Sequence, residues 1–165
     1  MNIKNHGGFF IQILIYYYLC KKKILGRIIA IDYGRKKCGI AVSDPLQIIA
    51  NGLTTVPTHT LFDFIINYIN TEDVTEVVIG YPKQSTGEDS ESLKYIKPFV
   101  NRLKKNLPDL PVKWVDERYT SKMAFQTMID AGLKKMARRN KMLIDKISAT
   151  IILQTYLEHR QEIIP

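Results

Sequence analysis

Residues Arg27 to Pro45 read RIIAIDYGRKKCGIAVSDP, and the fold turns on how this stretch is read. Arg27 to Tyr33 is short, β-branched and bounded by Gly26 and Gly34, the pattern of a strand. Cys38 to Ser43 has the same character and reads as its hairpin partner, across a turn containing Gly34. Strand side chains alternate, so Ile29 and Ile31 share one face and Ile28, Ala30 and Asp32 the other. Asp32 therefore ends an otherwise apolar face, where a charge is costly unless it is paired or bound to a metal. The plain alternative is a turn aspartate that bonds its own backbone beside Gly34. On this strand alone the two readings weigh equally. A phosphate loop that holds ATP on backbone amides begins this way, and so does a nuclease strand whose carboxylate holds a metal ion.

Outward from this stretch, Asn51 to Val56 reads as a third strand, with Asn51-Gly52 marking the turn before it. Leu61 to Ile69 carries apolar residues at helical spacing. Glu76 to Ile79 reads as a fourth strand, closed by Gly80 and Pro82. Ser90 to Leu107 reads as a helix with Leu93, Ile96, Val100 and Leu103 on one face and a kink at Pro98. Val112 to Val115 is the fifth strand. Thr120 to Ala131 is a helix that Gly132 stops, and the last helix runs from near Ala137 to Glu158. Three leading strands imply antiparallel pairing, and the later alternation of strand and helix implies parallel crossovers. The expected fold is α/β, a mixed five-stranded sheet flanked by helices.

The chain has 165 residues, which favours one domain. Its formal net charge of +8 suggests a polyanionic partner, nucleic acid before membrane. Residues 1–26 hold four lysines and no acid, so half of that excess lies outside 27–165. The apolar run Phe9 to Cys20 is shorter than the roughly 20 residues of a membrane-spanning helix. Its lysines follow it, unlike those of a secretory signal. The expectation is an N-terminal extension over 1–26, arising from a start assigned upstream of the true one near Leu25 or else disordered, and a single domain over 27–165. The two cysteines, Cys20 and Cys38, and the scattered His6, His59 and His159 suggest neither a disulfide framework nor a zinc site. Free thiols in a reducing cytoplasm are expected.

Two further acids stand near the ends of elements. Glu117, in VKWVDERYTS, lies just past the fifth strand, where sites gather at strand carboxyl ends. Asp-Glu-Arg is also a common polar exit from a strand. Asp145, in KMLIDKISATIILQTYLE, sits at the rim of a helix whose buried side is read as Leu143, Ile144, Ile147, Ile151, Ile152 and Thr155. Taken alone, Asp145 reads as a solvated partner of Lys141, four residues away. Together, the three acids fit a divalent ion that hydrolyses phosphodiesters, which needs hard oxygen ligands. The segment from Leu133 to Met142 holds Lys134, Lys135, Arg138, Arg139 and Lys141 and no acid. Beside Asp145 it suits a phosphate backbone, although such runs are usually solvated helix faces. Arg35, Lys36 and Arg118 flank the acids and are lesser candidates for the same contacts.

The stretches AIDYGRKKCGIAVSDP, VVIGYPKQSTGEDSES, VDERYTS and IDKISATIILQTYLE, in this order, resemble the YqgF family of pre-16S rRNA nucleases, also called Holliday-junction-resolvase-like proteins. The resemblance spans nearly all of 27–165. Tyr81 stands where the family's middle motif usually has Leu. The resemblance implies a ribonuclease H-like fold and a cytoplasmic, metal-dependent nuclease that trims the 5′ end of the small-subunit rRNA precursor. It implies Asp32, Glu117 and Asp145 as the catalytic acids, holding Mg²⁺ or Mn²⁺. Expected partners are nucleic acid, pre-rRNA ahead of DNA, and ribosomal precursor particles; no membrane is expected, and the chain is a monomer or weak homodimer. A DNA junction resolvase and a non-enzymatic RNA-binding assembly factor are the alternatives. An actin-like ATPase needs two such lobes, of which 27–165 supplies one, and no Gly-x-x-x-x-Gly-Lys loop is present.

Overall fold

The computed structural model describes residues 26–82, 91–116, 120–135 and 139–161. Its strands are β1 (Arg27–Tyr33), β2 (Lys37–Ser43), β3 (Ala50–Pro57), β4 (Val74–Tyr81) and β5 (Val112–Asp116). Its α-helices are α1 (Leu61–Thr71), α2 (Leu93–Asn106), α3 (Thr120–Asp130) and α4 (Lys141–Gln161). The strands form one sheet in the order β3-β2-β1-β4-β5. β1 pairs antiparallel with β2, and β2 antiparallel with β3. β1–β4 and β4–β5 are parallel. This is the ribonuclease H-like arrangement: a three-strand meander followed by two parallel additions on the other side of β1.

The alternation in β1 separates two cores. Ile29 and Ile31 join Ile40, Val77 and Ile79 beneath Leu61 and Ile65 of α1 and Leu93, Ile96, Val100 and Leu103 of α2. Ile28 and Ala30, with Ala41 and Val78, pack under Ala149, Ile152, Leu153 and Leu157 of α4. α3 packs on α4 through a stretch that includes the buried Ala124 and Met128. Among the described residues no helix is long and apolar enough to cross a membrane.

Local chemistry explains most boundaries. Asn140 caps α4, its side-chain oxygen accepting the N–H groups of Met142 (3.0 Å) and Leu143 (3.4 Å). The helix therefore opens at Lys141, later than the apolar pattern implies. Gly132 ends α3 at φ +71°, a conformation a side chain would strain. α2 runs without a break through Pro98, which lies on its exposed side.

The expected turn at Asn51-Gly52 is not there. Both residues lie within β3, opposite Val42 and Ala41, beside a register shift between Ile40 and Ala41. A β-carbon on Gly52 would stand 2.8 Å from Lys146 Cγ, so this glycine admits α4 and makes no turn. The reversal falls earlier, and Asp44 builds it. Its carboxylate accepts the N–H groups of Leu46 (3.0 Å), Ile48 (2.7 Å) and Ile49 (2.7 Å). Next to it, the buried Ser43 hydroxyl accepts the Ile28 N–H (2.9 Å) and donates to the Asp44 carbonyl (2.8 Å).

The far end of α4 is pinned across the sheet. The Tyr156 hydroxyl donates to Glu76 Oε2 (2.7 Å), and Arg160 pairs with the same oxygen (3.4 Å). Arg160 also reaches Gln47 Oε1 (2.8 Å), whose amide donates to the Gly26 carbonyl (2.8 Å). Burial first, then the bond to Glu76, pushes the Tyr156 hydroxyl up to about 12, so it stays a donor.

Desolvation opposes ionisation of Asp44, but the N–H groups of Ile49, Ile48 and Leu46 prevail and hold its carboxyl below the usual carboxylate range. A group held low stabilises the fold above its unfolded value and loses that contribution on acidification. Asp44→Ala should cost about 1–3 kcal/mol by urea denaturation at pH 7, and the difference from the wild-type chain should shrink as the pH falls below the carboxylate range.

Candidate active site

Asp32 closes the α4-facing side of β1, continuing the line of Ile28 and Ala30. Its partner across the β1–β2 pairing is Gly39. A β-carbon on Gly39 would collide with the backbone carbonyl of Asp145. The missing side chain thus lets the second turn of α4 rest on β2, one strand from Asp32. Asp32 and Asp145 meet in one cleft of about 780 Å³, whose other lining residues are Gly34, Arg35, Lys36, Lys37 and Lys141. Gly34 makes the β1–β2 turn tight, since a β-carbon there would run into the Lys37 carbonyl. Its own carbonyl accepts the Thr58 hydroxyl (2.7 Å), so it is a hairpin corner and not a phosphate cradle.

This corrects the reading of α4. Its most deeply buried residues are Ser148, Ala149, Ile152, Leu153 and Leu157, while Leu143, Ile144, Ile147, Ile151 and Thr155 are only half-buried. Asp145 lies four residues before Ala149 and seven before Ile152, on the sheet-facing stripe and not at a solvated rim. The pattern took Leu143, Ile144, Ile147 and Ile151 as the buried side, whereas the deeply buried stripe includes the small Ser148 and Ala149.

The two acids strain against their surroundings. Burial, and then the charge of Asp145, pushes the Asp32 carboxyl up to about 7. Burial raises Asp145 as well, against the opposing pull of Lys141 and Lys37. Asp145 Oδ2 is buried with no hydrogen-bond partner among the described residues. Two adjacent carboxylates, one offering an unpartnered oxygen, form a hard donor set that fits a divalent cation. Among the described residues no group of three or more His, Cys, Asp or Glu gathers. The third acid, Glu117, and its neighbour Arg118 lie outside the described residues. The preceding residue, Asp116, ends β5 two residues beyond Trp114, which is level with Ile79 and Ile31, so β5 exits at the same end of the sheet as Asp32.

Of the basic candidates, Arg35, Lys36 and Lys141 line the cleft. Lys37, which follows Arg35 and Lys36 at the start of β2, joins them. Lys134, Lys135 and Arg139 are exposed but do not form the cleft wall. Arg138 lies outside the described residues. Cys38 is buried and unpaired, and burial pushes its thiol up, which makes it an inert core residue. Gly39 is the functional position that the residue types alone did not reveal. An isolated glycine inside a strand signals close backbone approach, and that signal was available.

The fold and cleft define a ribonuclease H-like α/β protein with an acidic floor at the carboxyl end of its central strand. The chain belongs to the family described as RuvX: Holliday junction resolvase, whose model matches residues 26–159, and it is a member of a nuclease family. It is similar to a Bacteroides fragilis protein named "Putative pre-16S rRNA nuclease", 64% identical over 137 residues, covering 83% of this chain and 99% of that one. A Phocaeicola vulgatus protein of the same name is 58% identical over 139 residues, covering 84% and 100%. Among solved structures, T. thermophilus RuvC in complex with a Holliday junction substrate aligns at a TM-score of 0.49 and 14% identity, over 82% of this chain and 96% of that one.

Two outcomes follow from the geometry. The Asp32 carboxyl titrates near 7 when folded against an ordinary 3.8, so the folded state holds the proton more tightly. Stability of the metal-free chain should therefore fall as pH rises from about 4 to about 7. With chelator present, Asp32→Asn should gain roughly 2–4 kcal/mol at pH 8 and nothing near pH 4, by urea denaturation at both values. Gly39→Ala should cost about 2 kcal/mol or more, because the added carbon meets a helix backbone that has to move. Wild-type melting and activity in Gly39→Ala would refute the contact.

Proposed function

We propose that the chain hydrolyses phosphodiester bonds in the 5′ leader of the 16S rRNA precursor, working in the cytoplasm where that precursor is made. The observation that carries the reading is the Asp32–Asp145 pair, set by Gly39 on the floor of a cleft walled by Arg35, Lys36, Lys37 and Lys141. A surface that only binds RNA gains nothing from two half-buried acids, which repel phosphate. The same acids are required if a cation sits between them and the substrate.

Asp32 and Asp145, with Glu117 as the third ligand, would hold Mg²⁺ or Mn²⁺. Such an ion supplies Lewis acidity, lowering the pKa of an attacking water and neutralising charge on the phosphate. The residues do the rest. Asp32 gives up its proton before it ligates, so loading releases a proton and weakens below about pH 7. Arg35, Lys36, Lys37 and Lys141 hold the phosphates on either side of the scissile one, contacts that position the strand without reading its sequence. The exposed Lys134, Lys135 and Arg139 extend the basic surface beyond the cleft, and Arg118 and Arg138 are proposed for the same phosphate contacts.

The family's description as a Holliday junction resolvase favours a second substrate, a branched DNA. The names of the relatives at 58–64% identity favour RNA. Cleavage of a precursor with a 5′ extension, set against a four-way DNA junction, separates the two. With Mg²⁺ or Mn²⁺ the wild-type chain should shorten the RNA. Asp32→Asn and Asp145→Asn should each lower the rate by at least about 10³-fold while the circular dichroism spectrum stays native. Undiminished cleavage by either variant rejects its role, and preference for the junction moves the reading to DNA.

A further inference from the structure

The residue after Asp32 is Tyr33, and the turn that follows it forms one wall of the cleft. Helix α2 backs this turn with two aromatic residues one helical turn apart. Phe99 packs on Tyr33, their ring centroids 5.5 Å apart. Tyr95, toward the start of the helix, is 39% exposed, a large ring left at the surface. The Arg35 guanidinium lies over that ring, 4.8 Å from its centroid. Lys94 also approaches the ring, at 5.4 Å, but Glu91 lies 3.8 Å from its ammonium. The ion pairs among the described residues, Arg27–Glu72, Lys94–Glu91 and Arg160–Glu76, leave Arg35 out.

We propose that Tyr95 is a positioning residue for nucleic-acid binding: its ring holds the Arg35 guanidinium at the cleft mouth, where it meets a phosphate neighbouring the scissile one. This rests on the nuclease reading and goes beyond it, because Tyr95 belongs to neither the acids nor the basic residues of the site. A guanidinium stacked on a ring keeps its N–H donors free in its own plane. The stack restricts the side chain without neutralising it, whereas a carboxylate partner would do both. The donors then remain available for a two-point contact with phosphate oxygens. Arg35 covers a face of the ring, so Tyr95 acts through Arg35 and not as a platform for a base.

The test uses the full chain with single-stranded precursor RNA, read two ways: fluorescence anisotropy in chelator, and cleavage kinetics with Mg²⁺. Arg35→Ala should weaken binding about 3–10-fold and lessen the slope of log K against log salt by about 0.7, the value of one lost phosphate contact on a single strand. Tyr95→Leu should reproduce most of that loss, raising KM while leaving kcat and the melting temperature unchanged. Tyr95→Phe, which keeps the ring, should bind within about two-fold of wild type. The double variant should be no weaker than Arg35→Ala alone. Wild-type KM in Tyr95→Leu, or losses that add in full, would overturn the proposal while wild-type cleavage leaves the nuclease reading standing. A wild-type chain that neither binds nor cleaves RNA overturns both.

Discussion

The backbone of α4 touches the sheet at Gly39, and the carbonyl of Asp145 occupies the space a side chain would take. Everything about the cleft depends on that contact. It places an acid of the last helix one strand from the acid of the first strand, two groups far apart in sequence. Burying Asp32, and then setting a second acid beside it without a counter-ion, costs a few kcal/mol, as its raised value indicates. Ile152, Leu153 and Leu157 oppose it, since burying each contributes roughly 1.5–3 kcal/mol. Tyr156 and Arg160 add a polar clamp on Glu76 at the other end of the helix. Packing along the helix is therefore the larger effect, and it holds the acids in a geometry they would not adopt alone.

Two aspartates of the opening stretch show how environment divides the roles of one residue type. Asp44 faces three backbone N–H groups and is held ionised, a structural anchor for the β2–β3 reversal. Asp32 faces burial and another acid, and its carboxyl holds its proton up to about pH 7. The first is satisfied by the chain. The second is satisfied only by a proton or a cation, and the two compete across neutral pH.

Much of this was legible in the sequence, for identifiable reasons. Alternation in Arg27–Tyr33 correctly split Ile29 and Ile31 from Ile28, Ala30 and Asp32, because each face meets its own helix layer. The mixed pairing, antiparallel among the first three strands and parallel after them, followed from the sequence of elements. The failures share one cause, the close seating of α4. Gly52 looked like a turn because glycine is punctuation locally, but here it makes room for Lys146. Asp145, read alone, looked solvated because Leu143, Ile144 and Ile147 were assigned to the core, whereas the deeply buried stripe runs through Ser148, Ala149, Ile152, Leu153 and Leu157.

The cations of the cleft are attached to the acids they serve. Arg35, Lys36 and Lys37 follow Asp32 along the same hairpin, and Lys141 stands one helical turn before Asp145. Each acid therefore travels with part of the phosphate-binding wall. Moving α4 off Gly39 would separate the two acids and, in the same motion, widen the gap between Lys141 and the Arg35–Lys37 turn. Metal holding and backbone gripping are then one mechanical unit with two halves, and the distance between the halves is set by the side chain that Gly39 lacks.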